Sequence, residues 1–154
     1  MTQAVVAGCI VVAAINGLAG LLGAWLWHDG GLTERATATF WVLLRGGQGA
    51  ALVLAIAVGS LAAAGRYSSD QLFYLYALLP LAIGFVAEQL RVAAAQTILD
   101  QRGLADAQAV GALPDAEQHG VVLEIVRREV GVMAASALVV VFLALRAAGT
   151  AHGF

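Results

Sequence analysis

Residues 4–27 read AVVAGCIVVAAINGLAGLLGAWLW, without one charged side chain. A helix crosses the roughly 30 Å hydrocarbon core of a bilayer in about 20 residues, so this run is long enough to span alone. Inside it Ala13, Gly17, Gly20, Gly23 and Ala24 recur at helical spacing and leave a flat face, with Asn16 beside it near mid-depth. Such faces let helix backbones approach closely, and a buried Asn can hydrogen-bond at the contact. We therefore assign Asn16, Gly17, Gly20 and Gly23 to helix packing, within the chain in preference to between copies. Gly59 and Ala63 offer a second face of this kind.

Working outward, further apolar stretches run from Ala36 to Gly65, Leu72 to Ala87 and Val130 to Leu145. The last two reach spanning length only by taking in charged residues. The expected fold class is all-α, an integral membrane four-helix bundle with spans at 4–27, 37–64, 71–91 and 128–148. A hairpin over 92–127 extends the third and fourth spans into the cytoplasm. All of residues 1–154 form a single transmembrane domain. Composition agrees, with 61% of residues hydrophobic and 12% charged, more apolar surface than a soluble domain of this size could hide.

A net charge of −2 with dispersed arginines carries no electrostatic footprint for nucleic acid, which is excluded as a partner. All basic side chains are arginine, with none of lysine, and Ala and Gly are abundant. That usage suits a GC-rich bacterial genome, so a bacterial inner membrane is the expected location. Cys9 is the sole cysteine and is assigned to core packing. Val6-Ala7-Gly8-Cys9 looks like a lipoprotein cleavage box, yet the basic and apolar parts of such a signal do not precede it. His28, His119 and His152 form no i,i+4 pair, and Glu117 and His119 point to different helix faces, so neither metal nor other cofactor is expected. No nucleophile, base and orienting group share one depth, so no catalytic residue is assigned.

Turn chemistry sets the connections. Asp29-Gly30-Gly31 breaks the first helix and Thr33 caps the second. Ser68-Ser69-Asp70-Gln71 reads as a capping box for the third helix, and Asp115 with Gln118 as one for the last. Gly103 should stop the third helix, with a short helical turn within Leu104–Val110. Pro80 can kink the third helix. In the hairpin, Val92, Leu99, Leu123 and Val126 are expected to pack between the helices. Arg35, Arg45, Arg91, Arg102, Arg127 and Arg128 fall on one side and Arg66 and Arg146 on the other, so the positive-inside rule puts both termini outside. Trp25, Trp27, Phe40 and Trp41 would form the inner aromatic belt, and Tyr67, Phe73, Tyr74 and Tyr76 the outer one.

Function is sought among polar residues at depth. Arg45, Arg91 and Arg128 fall at the inner border of three spans, Gln48 and Glu88 slightly deeper, and Glu124 and Arg127 at or just below it. Ionisable groups there are costly unless they pair, line a wet cavity or serve a function. These seven residues are the candidate ligand-binding set, with Glu88–Arg91 and Glu124 with Arg127 and Arg128 spaced for helical ion pairs. Arg45 is the leading anion-binding candidate, because Gly46, Gly47 and Gly49 leave the backbone beside it open. The leading expectation is a non-enzymatic, oligomeric or accessory membrane protein that binds lipid headgroups or a membrane-protein partner through this layer. The alternatives are a small channel or transporter lined by Arg45, Gln48 and Glu88, and a lipid-modifying enzyme.

Overall fold

The computed structural model describes residues 2–153, and among these every regular element is helical. The long helices are α1 (Thr2–Asp29), α2 (Glu34–Ala63), α3 (Leu72–Gln101) and α5 (Asp115–Thr150), with the short α4 (Ala107–Gly111) between the last two. Each long helix is apolar and long enough to cross a membrane, giving four candidate membrane-spanning helices of a multi-pass protein. Large apolar side chains such as Leu21, Val42, Val53, Phe85 and Phe142 lie exposed on the bundle exterior.

The helices form an up-and-down bundle. α1 packs most extensively on α5, α3 on α5 and α2 on α1, whereas α2 and α3 meet over a shorter length. Small residues explain the closeness of the α1–α5 seam. A Cβ at Gly20 would lie 2.7 Å from Leu138 Cδ2, and one at Gly23 would lie 2.5 Å from Phe40 Cε2 and 2.7 Å from the Ala134 methyl. At Gly17 the nearest atom would be Val141 Cγ2 at an ordinary 3.7 Å, and Gly59 faces open space, so neither marks a close approach. Asn16 is 2% exposed, but its amide nitrogen donates to its own helix, to the Val12 carbonyl at 2.9 Å, and not across the contact.

The core divides in two. One apolar cluster takes Val5, Cys9, Val12 and Ala13 of α1 with Leu54, Val58, Phe73 and Ala144, and the other takes Ala19 and Leu26 with Phe40, Leu44, Val130 and Met133. Asn16 falls between them. Cys9 is fully buried in the first cluster. Phe40 and Phe73, expected in the aromatic belts, are instead fully buried. Phe40 fills the space left by Gly23, which outweighs any preference of its ring for an interface.

Helix ends follow local chemistry with two corrections. The Thr33 hydroxyl accepts from the Ala36 N–H at 3.3 Å and caps α2, and Gly103 adopts φ +66 just beyond α3. No capping box starts α3: Asp70 Oδ1 accepts from Leu72 N at 2.9 Å, while the buried Ser68 donates its hydroxyl to the His152 carbonyl at 3.0 Å. That bond, with Ser69 N–H to the same carbonyl at 2.9 Å, clasps the α2–α3 connection to the end of α5. Nor does Asp115 cap α5. Pro114 occupies the cap position and Asp115 lies inside the first turn, where its charge still suits the helix dipole.

Within residues 92–127 the buried side chains are Ile98 of α3, Val110 of α4 and Val121 of α5. Val92 and Leu123 are exposed, and Leu99 and Val126 are only partly covered. Ile98 continues the α3 stripe of Ala77, Pro80 and Ala87. Val121 sits two and a half turns before Val130, half a turn out of phase with it around α5.

Candidate functional site

Pro80 interrupts α3, since it offers no N–H to the carbonyl of Tyr76 one turn earlier. Gly84 then presents no side chain, and a Cβ added there would meet nothing within 4 Å. Opposite, α2 closes tightly on α1 at Gly47, because any Cβ would fall 2.7 Å from the Asn16 amide. The remaining space is a cleft of about 240 Å³ between α2 and α3, with Leu52 and Phe85 among its exposed apolar lining. Its lining also includes Asn16 of α1 and Ser136 of α5.

Gln48 and Glu88 line the same cleft and belong to a polar network. Arg45 Nη1 donates to Gln48 Oε1 at 2.7 Å and to Glu88 Oε1 at 2.5 Å. Gln48 Nε2 reaches Glu88 Oε1 at 3.5 Å, and Arg91 Nε donates to Glu88 Oε2 at 3.0 Å. Arg91 also faces Glu129 at 3.7 Å, which joins α3 to α5. The Trp41 indole lies under both guanidinium groups, 5.8 Å from Arg45 and 5.5 Å from Arg91. The network is balanced, with Arg45 and Arg91 against Glu88 and Glu129.

Four of the seven candidate residues therefore meet: Arg45, Gln48, Glu88 and Arg91. The other three lie apart. Glu124 pairs with Arg102, just past the end of α3, at 2.6 Å and not with its helical neighbours Arg127 and Arg128. Arg127 Nε donates to the Trp27 carbonyl at 2.9 Å, closing the end of α1 onto α5. Arg128 is exposed and lines a separate groove between α1 and α5. Of the glycines after Arg45, Gly46 and Gly49 have no close neighbour, so only Gly47 serves packing.

Glu129 and Trp41 do not stand out as site residues from sequence. Glu129 lies three residues after Val126 and four before Met133, an acid on the edge of a core stripe, and that placement is a usable signal. Chemically the network offers donors on the half-exposed Arg45 and acceptors on both carboxylates, beside an apolar slot. No group of His, Cys, Asp and Glu among the described residues could hold a metal ion. No family model, curated protein or solved structure matches this chain.

Proposed function

We propose that the chain is a non-enzymatic, multi-pass protein of a bacterial inner membrane that holds an amphipathic lipid in the α2–α3 cleft. The observation that carries this reading is an apolar slot opening sideways on the bundle with a charge-balanced polar network at its lining. In a bilayer such a slot faces acyl chains, and ionisable groups at that depth require a partner or a role. The cleft's 240 Å³ equals about eight waters at roughly 30 Å³ each, the bulk of part of one acyl chain. The rest of the lipid would lie in the bilayer, with its headgroup against Arg45.

Paired donors and acceptors suit a zwitterionic or hydroxylated headgroup, because neither charge is in excess. A conduction path past Arg45, Gln48 and Glu88 is less well supported, since their mutual hydrogen bonds fill that route. By the positive-inside rule the network lies toward the cytoplasm, with both termini outside and residues 92–127 projecting inward as a hairpin. Native mass spectrometry of the protein extracted with its own lipids tests the proposal. A lipid should be retained by the wild type and lost in Gly84→Leu, whose side chain has open space to fill the slot. Retention of no lipid, or equal retention in both proteins, would sink it, and the same spectra count the copies per complex.

A further inference from the structure

The α1–α5 seam carries a second groove, of about 490 Å³, whose lining includes Ala24, Trp27, Gly131, Ala135 and Leu138, with Arg128 also at its wall. Gly131 lets the Trp27 ring lie over α5, since a Cβ there would fall 2.8 Å from Trp27 Cδ1. Glu124, the carboxylate four residues before Arg128, is engaged by Arg102, and the adjacent Glu129 by Arg91. Among the described residues Arg128 makes no ion pair, and neighbouring Arg127 donates to a neutral carbonyl, so neither guanidinium has a carboxylate within ion-pair distance.

We infer that this groove binds an anionic phospholipid, with the Arg128 guanidinium on the phosphate and one acyl chain along Ala135 and Leu138. A guanidinium binds phosphate oxygens through paired N–H donors, which a lone ammonium or a neutral side chain cannot reproduce. The Trp27 N–H is a further donor at the boundary between apolar groove and charged end, where tryptophan is favoured. The unpaired guanidinium of Arg128 separates this site from the ion-paired network of the cleft. It rests on the membrane reading above but not on the cleft being occupied.

The test uses the full chain, stripped of lipid in mild detergent and titrated with phosphatidylglycerol or phosphatidylcholine of identical acyl chains, with bound lipid read by native mass spectrometry. Phosphatidylglycerol should bind more tightly, by about tenfold, the scale of charged hydrogen bonds. Arg128→Gln should erase that preference, and Ala135→Leu, which narrows the groove from its exposed side, should weaken phosphatidylglycerol binding. Arg35→Gln removes an exposed cation of the same end, and Gly84→Leu fills the other cleft; both should leave the preference intact. The inference is overturned if Arg128→Gln keeps the preference or if Arg35→Gln loses as much. It is overturned too if Arg128→Gln only separates paired copies without changing lipid binding. Lipid loss in Gly84→Leu alone would leave the cleft standing and remove this site, whereas loss in Arg128→Gln alone would do the reverse. A chain that stays dispersed without detergent would remove both.

Discussion

Gly23 and Gly59 both sit inside long helices, yet their replacement by alanine should move stability in opposite directions. In a helix alanine gains up to about 1 kcal/mol over glycine. At Gly59 the added methyl meets nothing within 4 Å, so Gly59→Ala should be neutral or raise the unfolding temperature. At Gly23 it meets a fully buried Phe40 and the Ala134 methyl, and overpacking of about 1–3 kcal/mol should outweigh the gain. Thermal unfolding of both variants in one detergent checks the sign; equal shifts would show that Gly23 is not pinned. The network makes a second prediction at this scale. Glu88→Gln removes the charge that two guanidinium groups share, and with partial exposure discounting the interaction it should cost about 1 kcal/mol. Added to Arg45→Gln it should cost less than the sum, because the partner is already gone. Strict additivity would mean that the two side chains are not coupled. Most of this network is legible in the sequence, since Arg45, Gln48, Glu88 and Arg91 stand at one depth by simple counting along the helices. Glu124, Arg127 and Arg128 group with them on the same count, but depth carries no azimuth, and these three point to other neighbours.

At the scale of elements, helix positions are legible because apolar runs bounded by Gly-Gly, Pro and Thr leave few alternatives. Buried faces are less so. In α3 the covered stripe keeps its phase from Phe73 through Ala87 to Ile98, but in α5 Val121 and Val130 are both buried although half a turn apart around the helix. A single periodicity cannot express a shift of the buried face partway along a helix. The capping box read at Ser68 fails for a related reason, as its hydroxyl is drawn to a carbonyl more than 80 residues away. The α4 segment adds one mostly buried side chain, Val110, and little else. Deleting Leu104–Gly111 should therefore leave the four long helices assembled, with a connection still within the usual 2–8 residues or so for neighbouring helices. Circular dichroism and size-exclusion profiles near those of the full chain are expected, and aggregation of the deleted protein would place α4 within the core.

For the whole molecule the decisive feature is the gap between α2 and α3, which no local pattern announces because it depends on how four helices share their faces. Orientation is testable without identifying any ligand. Cys9 is fully buried and should not react with a membrane-impermeant maleimide on intact cells. Tyr67→Cys, at an exposed position beside the Ser68 clasp, should be labelled from outside. Ala112→Cys, next to α4, should be labelled only after permeabilisation. The reverse pattern would invert the molecule, and labelling of both on intact cells would remove the four-span topology. Trp41 has a use of another kind. Its indole touches the two guanidinium groups that any headgroup in the cleft would pull upon. With Trp25 and Trp27 replaced by phenylalanine, its emission should therefore shift on occupancy, giving the protein an optical gauge that works without dye or tag, whatever molecule fills the cleft.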